Sequence, residues 1–189
     1  KYFNYWVYRV ISYHNSYIYS YSKIIPTSRK DYSMYKVGSL FAGIGGICQG
    51  FKQAGVHVEW ANEFDRRACE TYRYNYPKTS LYEADINVLD PKIFPSIDIL
   101  TSGFPCQAFS VAGYRQGFND EKGRGNLFFR TAEFIEELQP QAYLLENVKN
   151  LRTHDNGKTL STIKKTLTED LGYSFIEFVL NSKDFGNVP

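Results

Sequence analysis

The sequence holds a single methionine, Met34, and only three cysteines, Cys48, Cys69 and Cys106. The cysteines are too widely spaced for a CxxC zinc or redox motif and odd in number, which excludes a disulfide framework and favours a reducing, intracellular setting. No apolar run reaches the roughly 18 residues that a membrane-spanning helix needs. The chain shows no internal repeat and no Pro/Gly/Ser linker. Its first residues do not follow the order of charge, apolar stretch and small-residue cleavage site that marks a secretory signal. Strong charge of either sign is missing as well: the net charge is +2. Lys1, Arg9, Lys23, Arg29 and Lys30, set against Asp31, leave the remainder slightly acidic. A nucleic-acid enzyme normally carries a basic footprint, so this balance argues against a complete DNA-binding surface.

What is present is one domain's worth of core, with 43% hydrophobic residues over 189 positions. Residues 1–33 are dominated by Tyr with Ser, Asn and Lys and keep no single periodicity. They are expected to be a Tyr-rich leader, disordered or non-native, with Met34 as the natural start; an aromatic nucleic-acid-binding arm is the competing reading. From residue 34 to 189 strand, turn and helix alternate, the pattern of βαβ units and a parallel sheet. Strands are predicted at Val37–Phe41 and Val56–Ala61, in a third segment leading to Asp85, and at Ile97–Leu100, Tyr143–Leu145 and Phe175–Leu180. Helices are predicted at Gly46–Ala54, stopped by Gly55, at Arg66–Tyr76 with Asp65 as N-cap, at Asn126–Leu138 and at Lys158–Leu171. The fold class is α/β: a mostly parallel, doubly wound sheet with helices on both faces.

Two stretches carry chemistry. Gly43, Gly45 and Gly46 lie between the first strand and the first helix, where glycine lets the backbone turn tightly and approach a ligand. A dinucleotide fingerprint would need a glycine where Cys48 stands, which weakens NAD or FAD. Glu63 ends the second strand, where an acid accepts from ribose hydroxyls, and Asp85 ends the third, in reach of an adenine amine. Ribose and adenine without phosphate, and a sulfonium that tolerates nearby acids, fit S-adenosylmethionine. The second stretch is Thr101-Ser102-Gly103-Phe104-Pro105-Cys106-Gln107-Ala108-Phe109-Ser110, placed just past the carboxyl end of a buried strand. Ligands bind at that edge of open α/β sheets, so Cys106 is placed to meet a substrate. Gly103 allows close backbone approach, Pro105 stiffens the segment, and Gln107 and Ser110 offer hydrogen bonds beside the sulfur.

This stretch resembles the catalytic motif of the cytosine-C5 DNA methyltransferases. Leu40-Phe41-Ala42-Gly43-Ile44-Gly45-Gly46 is similar to that family's cofactor loop and Glu146-Asn147-Val148 to its second catalytic motif, in the family's order and approximate spacing. The resemblance covers roughly Tyr35 to Pro189. It implies a Rossmann-like S-adenosylmethionine-dependent methyltransferase fold, incomplete at the C-terminus, and double-stranded DNA as substrate. It also implies site roles: Phe41, Ala42, Gly43, Ile44, Gly45 and Gly46 at the methionine moiety, Glu63 on the ribose, Phe64 and Ile86 beside the adenine, and Asp85 on its amine. Gly103, Pro105 and Leu127 line the cofactor pocket, Cys106 and Glu146 are catalytic, and Gln107, Ser110, Arg115 and Asn147 face DNA or the flipped base. No metal is implied.

Cytosine C5 is too weak a nucleophile to take a methyl group unaided, so the resemblance implies that Cys106 adds at C6 and splits one hard step into easier ones. Glu146 would hydrogen-bond at N3 and the exocyclic amine, and Asn147 would orient the loops. C5 is hidden inside a stacked duplex, so base flipping is implied. The glycine-bearing loop between Ser110 and Gly125, with Arg115, Lys122 and Arg124, suits closure over phosphates. The family's arginine-pair motif, target-recognition region and C-terminal helix lie beyond Pro189, so a truncated chain, inactive alone, is expected. A monomer in the cytoplasm, with a cognate restriction endonuclease as a further partner, completes the expectation. A tRNA cytosine-C5 methyltransferase shares the motifs, but that branch carries Pro before the Pro-Cys pair and Thr later in the loop, where this chain has Phe104 and Ser110. A non-catalytic, cofactor-binding remnant is the alternative from another class.

Overall fold

The computed structural model describes residues 34–105 and 127–181 in full and residues 7–10 by their backbone. The strands are β1 (Val7–Val10), β2 (Lys36–Leu40), β3 (His57–Glu63), β4 (Ser80–Glu83), β5 (Ile99–Ser102) and β6 (Ala142–Glu146). The helices are α1 (Gly46–Gln53), α2 (Arg66–Asn75), α3 (Leu127–Leu138) and α4 (Lys158–Lys165). They form one sheet in the order β1-β6-β5-β2-β3-β4, in which β2 to β6 are mutually parallel and β1 runs antiparallel along β6. After β2 the chain winds outward through β3 and β4, then returns to the other side of β2 for β5 and β6. The direction of winding therefore reverses between β2 and β5, where their carboxyl ends open the crevice that binds ligands in such sheets.

Buried strands of a parallel sheet are apolar on both faces, and alternate residues go to opposite sides. Val37, Val58 and Ala61 pack with Cys48 of α1 and Tyr72 of α2. Leu40, Trp60 and Leu100 pack with Phe128, Phe134 and Ile135 of α3 and Ile163 of α4. Helices thus cover both faces. Trp60 anchors the second face: its ring lies 4.7 Å from Phe94 and its Nε1–H donates to Pro95 O at 3.0 Å, satisfying the one polar group of a fully buried indole.

Local signals end the elements where expected. Asp65 caps α2 by accepting from Ala68 N at 2.8 Å, and Gly55, at φ +79°, follows α1 in the left-handed conformation that glycine adopts freely. The helix predicted at Lys158–Leu171 is α4 continued by a π-helical turn over Thr166–Asp170.

One expectation is corrected. Phe175–Leu180 is not a strand; among the described residues it has no ladder partner. A strand needs an edge to pair with, and the free edge of β6 is taken by β1. That same strand lies within residues 1–33: Val7–Val10 pairs with Tyr143–Glu146, Val7 opposite Glu146 and Val10 opposite Tyr143. Its Val-Tyr-Arg-Val sequence has the β-branched and aromatic character that suits a pleated edge. The rest of residues 1–33 lies outside the described residues. No described helix is long and apolar enough to cross a membrane.

Cys48 and Cys69 are fully buried and inert by environment. Tyr72 Oη donates to Cys48 Sγ at 3.3 Å, and Cys69 Sγ donates to Glu63 O at 3.5 Å. Burial, then the nearby Glu83 and Glu63 carboxylates, push the Cys69 thiol up to about 11, and burial pushes the Tyr173 phenol up to about 12. The folded chain therefore holds protons that the unfolded chain releases near ordinary thiol and phenol values. The resulting stabilisation is full below about pH 9 and is lost as pH rises toward 11 and beyond. Urea midpoints are expected to be flat from pH 7 to 8 and to fall from about pH 9 upward, with Cys69→Ala flattening the first part of that fall. An equal fall in the variant would contradict the assignment.

Candidate active site

The crevice at the carboxyl ends of β2 and β5 is built from the glycine turn, two acids and the start of the thiol stretch. Leu40 and Ser102 are register partners, and Gly103 N approaches Leu40 O at 3.5 Å, so both chains leave the sheet side by side. Phe41 turns at φ +53°, Gly43 at +56° and Gly45 at +96°, and Gly45 becomes the N-cap of α1. A left-handed Phe is a strained choice, found where the surroundings fix the backbone. Ala42 N donates to Asn62 O and Gly45 N to Ala42 O, both at 2.9 Å. The turn is thereby tied to β3 and closed on itself.

Glu63 holds this turn in place. One carboxylate oxygen accepts from Gly43 N at 2.8 Å, and the other accepts from Phe64 N at 2.8 Å and Asp65 N at 2.9 Å. An ionised carboxylate has about four acceptor positions, so three backbone donors leave one for a ligand hydroxyl. Asp85 caps the short 3₁₀ turn Ile86–Val88 through Oδ1, which accepts from Asn87 N at 2.9 Å. Its Oδ2 lies free of any bond to a described residue. Phe64 and Ile44 stand 71% and 59% exposed at this mouth, large apolar surfaces suited to cover a flat ring or an aliphatic chain. Ile86 is turned into the core under α3, and Leu127 begins α3 half-buried against the same cluster. One spare acceptor on each acid, between exposed apolar side chains and a glycine turn, fits a ribose and an amine-bearing aromatic ring.

The third strand end contributes Glu146 and Asn147. A β-carbon placed on Gly103 would lie 3.5 Å from Glu146 Oε2, so the carboxylate sits over the backbone where β5 ends. Asn147, 4% exposed, donates from Nδ2 to Phe104 O at 2.7 Å and accepts from Val148 N at 2.9 Å. It therefore joins the end of β6 to the segment ending at Pro105. Cys106, Gln107, Ser110 and Arg115, with Lys122 and Arg124, lie outside the described residues; Cys106 is the residue after Pro105.

Two supporting residues were not singled out from the sequence. Buried Asn62 donates to both Tyr82 O at 3.0 Å and Ala84 O at 2.9 Å, which fixes the end of β4 directly before Asp85. Its signal is an amide directly after the buried Trp60-Ala61 pair of β3. Arg130 of α3 donates to Leu89 O at 2.7 Å and Ile86 O at 3.1 Å and pairs with Glu133, clamping the turn after Asp85. No local pattern announces a contact 41 to 44 residues away. Among the described residues no group of three or more His, Cys, Asp or Glu is arranged to hold a metal ion.

A family model for C-5 cytosine-specific DNA methylases matches residues 35–189. The Type II methyltransferase M.Bsp6I of Bacillus sp. (strain RFL6) is 51% identical over 157 residues, covering 82% of this chain and 49% of that protein. The Type II methyltransferase M.HhaI of Haemophilus parahaemolyticus is 44% identical over 147 residues, covering 78% of this chain and 43% of that protein. The crystal structure of the S. pombe Dnmt2 methyltransferase superposes with a TM-score of 0.61 at 25% identity, over 80% of this chain and 46% of that one. The chain spans about half the length of the curated relatives it matches.

Proposed function

This chain belongs to the C-5 cytosine-specific DNA methylase family, and from that premise we propose that it carries the cofactor-binding and catalytic half of an enzyme that methylates C5 of cytosine in DNA. The observation that supports this best is the meeting, at one reversal of the sheet, of the glycine turn, Glu63 and Asp85 with the Glu146–Asn147 pair and the segment leading to Cys106.

S-adenosylmethionine, when bound, supplies an electrophilic methyl group. The chain's residues do the rest. Glu63 accepts from the ribose while keeping its three backbone donors, and Asp85 accepts from the adenine amine through Oδ2. Phe64 and Ile44 cover the apolar parts of the ligand and shed the water that exposes them. The Cys106 thiolate forms a bond to C6 of a cytosine drawn out of the stack, and the electron pair of the C5–C6 double bond moves toward C5. Glu146 holds a proton at N3 as that charge develops, and the fixed Asn147–Phe104 contact keeps the two catalytic segments at one spacing. After methylation C5 loses its proton, the double bond re-forms and Cys106 leaves as thiolate. The Type II designations of the relatives support double-stranded DNA as substrate and a cognate restriction endonuclease as partner; a monomer acting in the cytoplasm is part of the same reading.

The test of the cofactor half uses Asp85→Asn, which retains the cap to Asn87 N but turns an amide donor toward the adenine amine. Calorimetry with S-adenosylhomocysteine is expected to show affinity about tenfold lower than wild type, the size of one lost hydrogen bond. Equal affinity would remove Asp85 from the site.

A further inference from the structure

We propose that Tyr76, at the C-cap of α2, is a positioning residue that sets the orientation of the glycine turn and thereby the affinity for the cofactor. The inference rests on the reading of that turn as the cofactor site. Tyr76 follows the last residue of α2, at its C-cap, and is 7% exposed. Its hydroxyl donates to Gly45 O at 2.7 Å, 31 residues away in sequence, and Gln49 Oε1 stands 3.2 Å from the same oxygen. Gly45 O also accepts from Gln49 N at 2.9 Å, the first bond of α1. The N-cap carbonyl is therefore held by two donors, one from its own helix and one from α2.

The consequence follows from peptide geometry. Gly45 C=O and Gly46 N–H belong to one planar trans unit and point in opposite directions. Holding the carbonyl toward Tyr76 and along α1 aims the Gly46 N–H out of the helix start, on the side of the glycine turn. Without that second bond the Gly45 peptide, flanked by two residues with no side chain, is free to rock.

The ring of Tyr76 completes the device. A β-carbon on Gly45 would lie 2.1 Å from Tyr76 Cε2, so ring and glycine occupy one continuous volume. The ring is itself fixed, with its centroid 4.7 Å from that of Tyr72 and 5.4 Å from Lys52 Nζ. Tyr72 supplies an internal control. It too is buried, and its hydroxyl donates to Cys48 Sγ rather than to a carbonyl of the turn.

The experiment compares wild type, Tyr76→Phe, Tyr76→Ala, Tyr72→Phe and Asp85→Asn in the full chain. S-adenosylhomocysteine affinity is read by calorimetry, folding by urea midpoint, and the Gly46 amide by hydrogen exchange. Tyr76→Phe keeps the ring and is expected to weaken binding about three- to tenfold, with faster Gly46 exchange, because one hydrogen bond to the turn is lost. Tyr76→Ala is expected to weaken binding further. Tyr72→Phe is expected to lower the urea midpoint and leave affinity unchanged, which separates positioning from stability. Binding by Tyr76→Phe within twofold of wild type, while Asp85→Asn still weakens it, overturns this proposal alone. Absence of binding in wild type, or no effect of Asp85→Asn, overturns the cofactor reading and the proposal with it.

Discussion

Cys106→Ser is expected to abolish the covalent trapping of DNA that carries 5-fluorocytosine at the target position. Fluorine at C5 cannot leave as a proton does, so once the sulfur has added and C5 has been methylated, elimination stalls and the adduct persists. A serine hydroxyl is scarcely ionised near neutral pH, and without an adjacent base it does not add to C6; trapping is expected to fall at least about a thousandfold. Because the chain spans about half the length of its relatives, the assay uses a chimera in which the remaining half comes from the Bacillus relative. Glu146→Gln in the same chimera keeps the shape but cannot supply the proton at N3, and slows trapping while DNA binding persists. Cys48 and Cys69 are buried, with Cys69 held protonated by burial, and neither contributes to the adduct. A peptide map that places the adduct on Cys48 or Cys69, or an adduct that survives in Cys106→Ser, would remove Cys106 as nucleophile.

The second large effect is expected from Gly45→Val. At φ +96° a β-branched residue is strained by roughly 1–3 kcal/mol, and its β-carbon would have to pass 2.1 Å from the fixed Tyr76 ring. Overpacking of this kind costs a further ~1–3 kcal/mol, so the turn must move rather than adapt. Affinity for S-adenosylhomocysteine is expected to drop at least about a hundredfold, with a clearly lower urea midpoint. Gly43→Ala separates the two causes. Its φ of +56° carries strain, but nothing lies within 4 Å of the added carbon, so a loss of about 1–2 kcal/mol without a clash is expected. Equal behaviour of the two variants would mean that conformation alone, and not the Tyr76 ring, demands glycine at position 45.

What could be read from the sequence was local. The glycine turn, the Asp65 cap, the Gly55 stop and the five parallel strands announce themselves through residue type and period within a few positions. The acids at strand ends are legible for the same reason, since each follows directly on an apolar run. The unread part is long-range. Glu63 looks like a ligand acceptor in sequence, and the structure gives it a second task, holding Gly43, Phe64 and Asp65 by their N–H groups. Tyr76 and Arg130 act on backbone 31 to 44 residues away, where periodicity carries no information. Phe175–Leu180 has strand composition but does not pair, because the edge of β6 is already occupied by β1. Val7–Val10 shows the converse: a four-residue segment in a Tyr-rich stretch that pairs along the edge of β6.

The central claim is that the reversal of the sheet between β2 and β5 is where S-adenosylmethionine chemistry is done. Amide hydrogen exchange on the chain, with and without S-adenosylhomocysteine, tests it residue by residue. Protection is expected to be gained at Ala42–Ile47, at Phe64 and Asp65, and at Ile86–Val88, with α4 unchanged. Protection confined to α4 and the segment packed on it, or no change anywhere at saturating ligand, would contradict it.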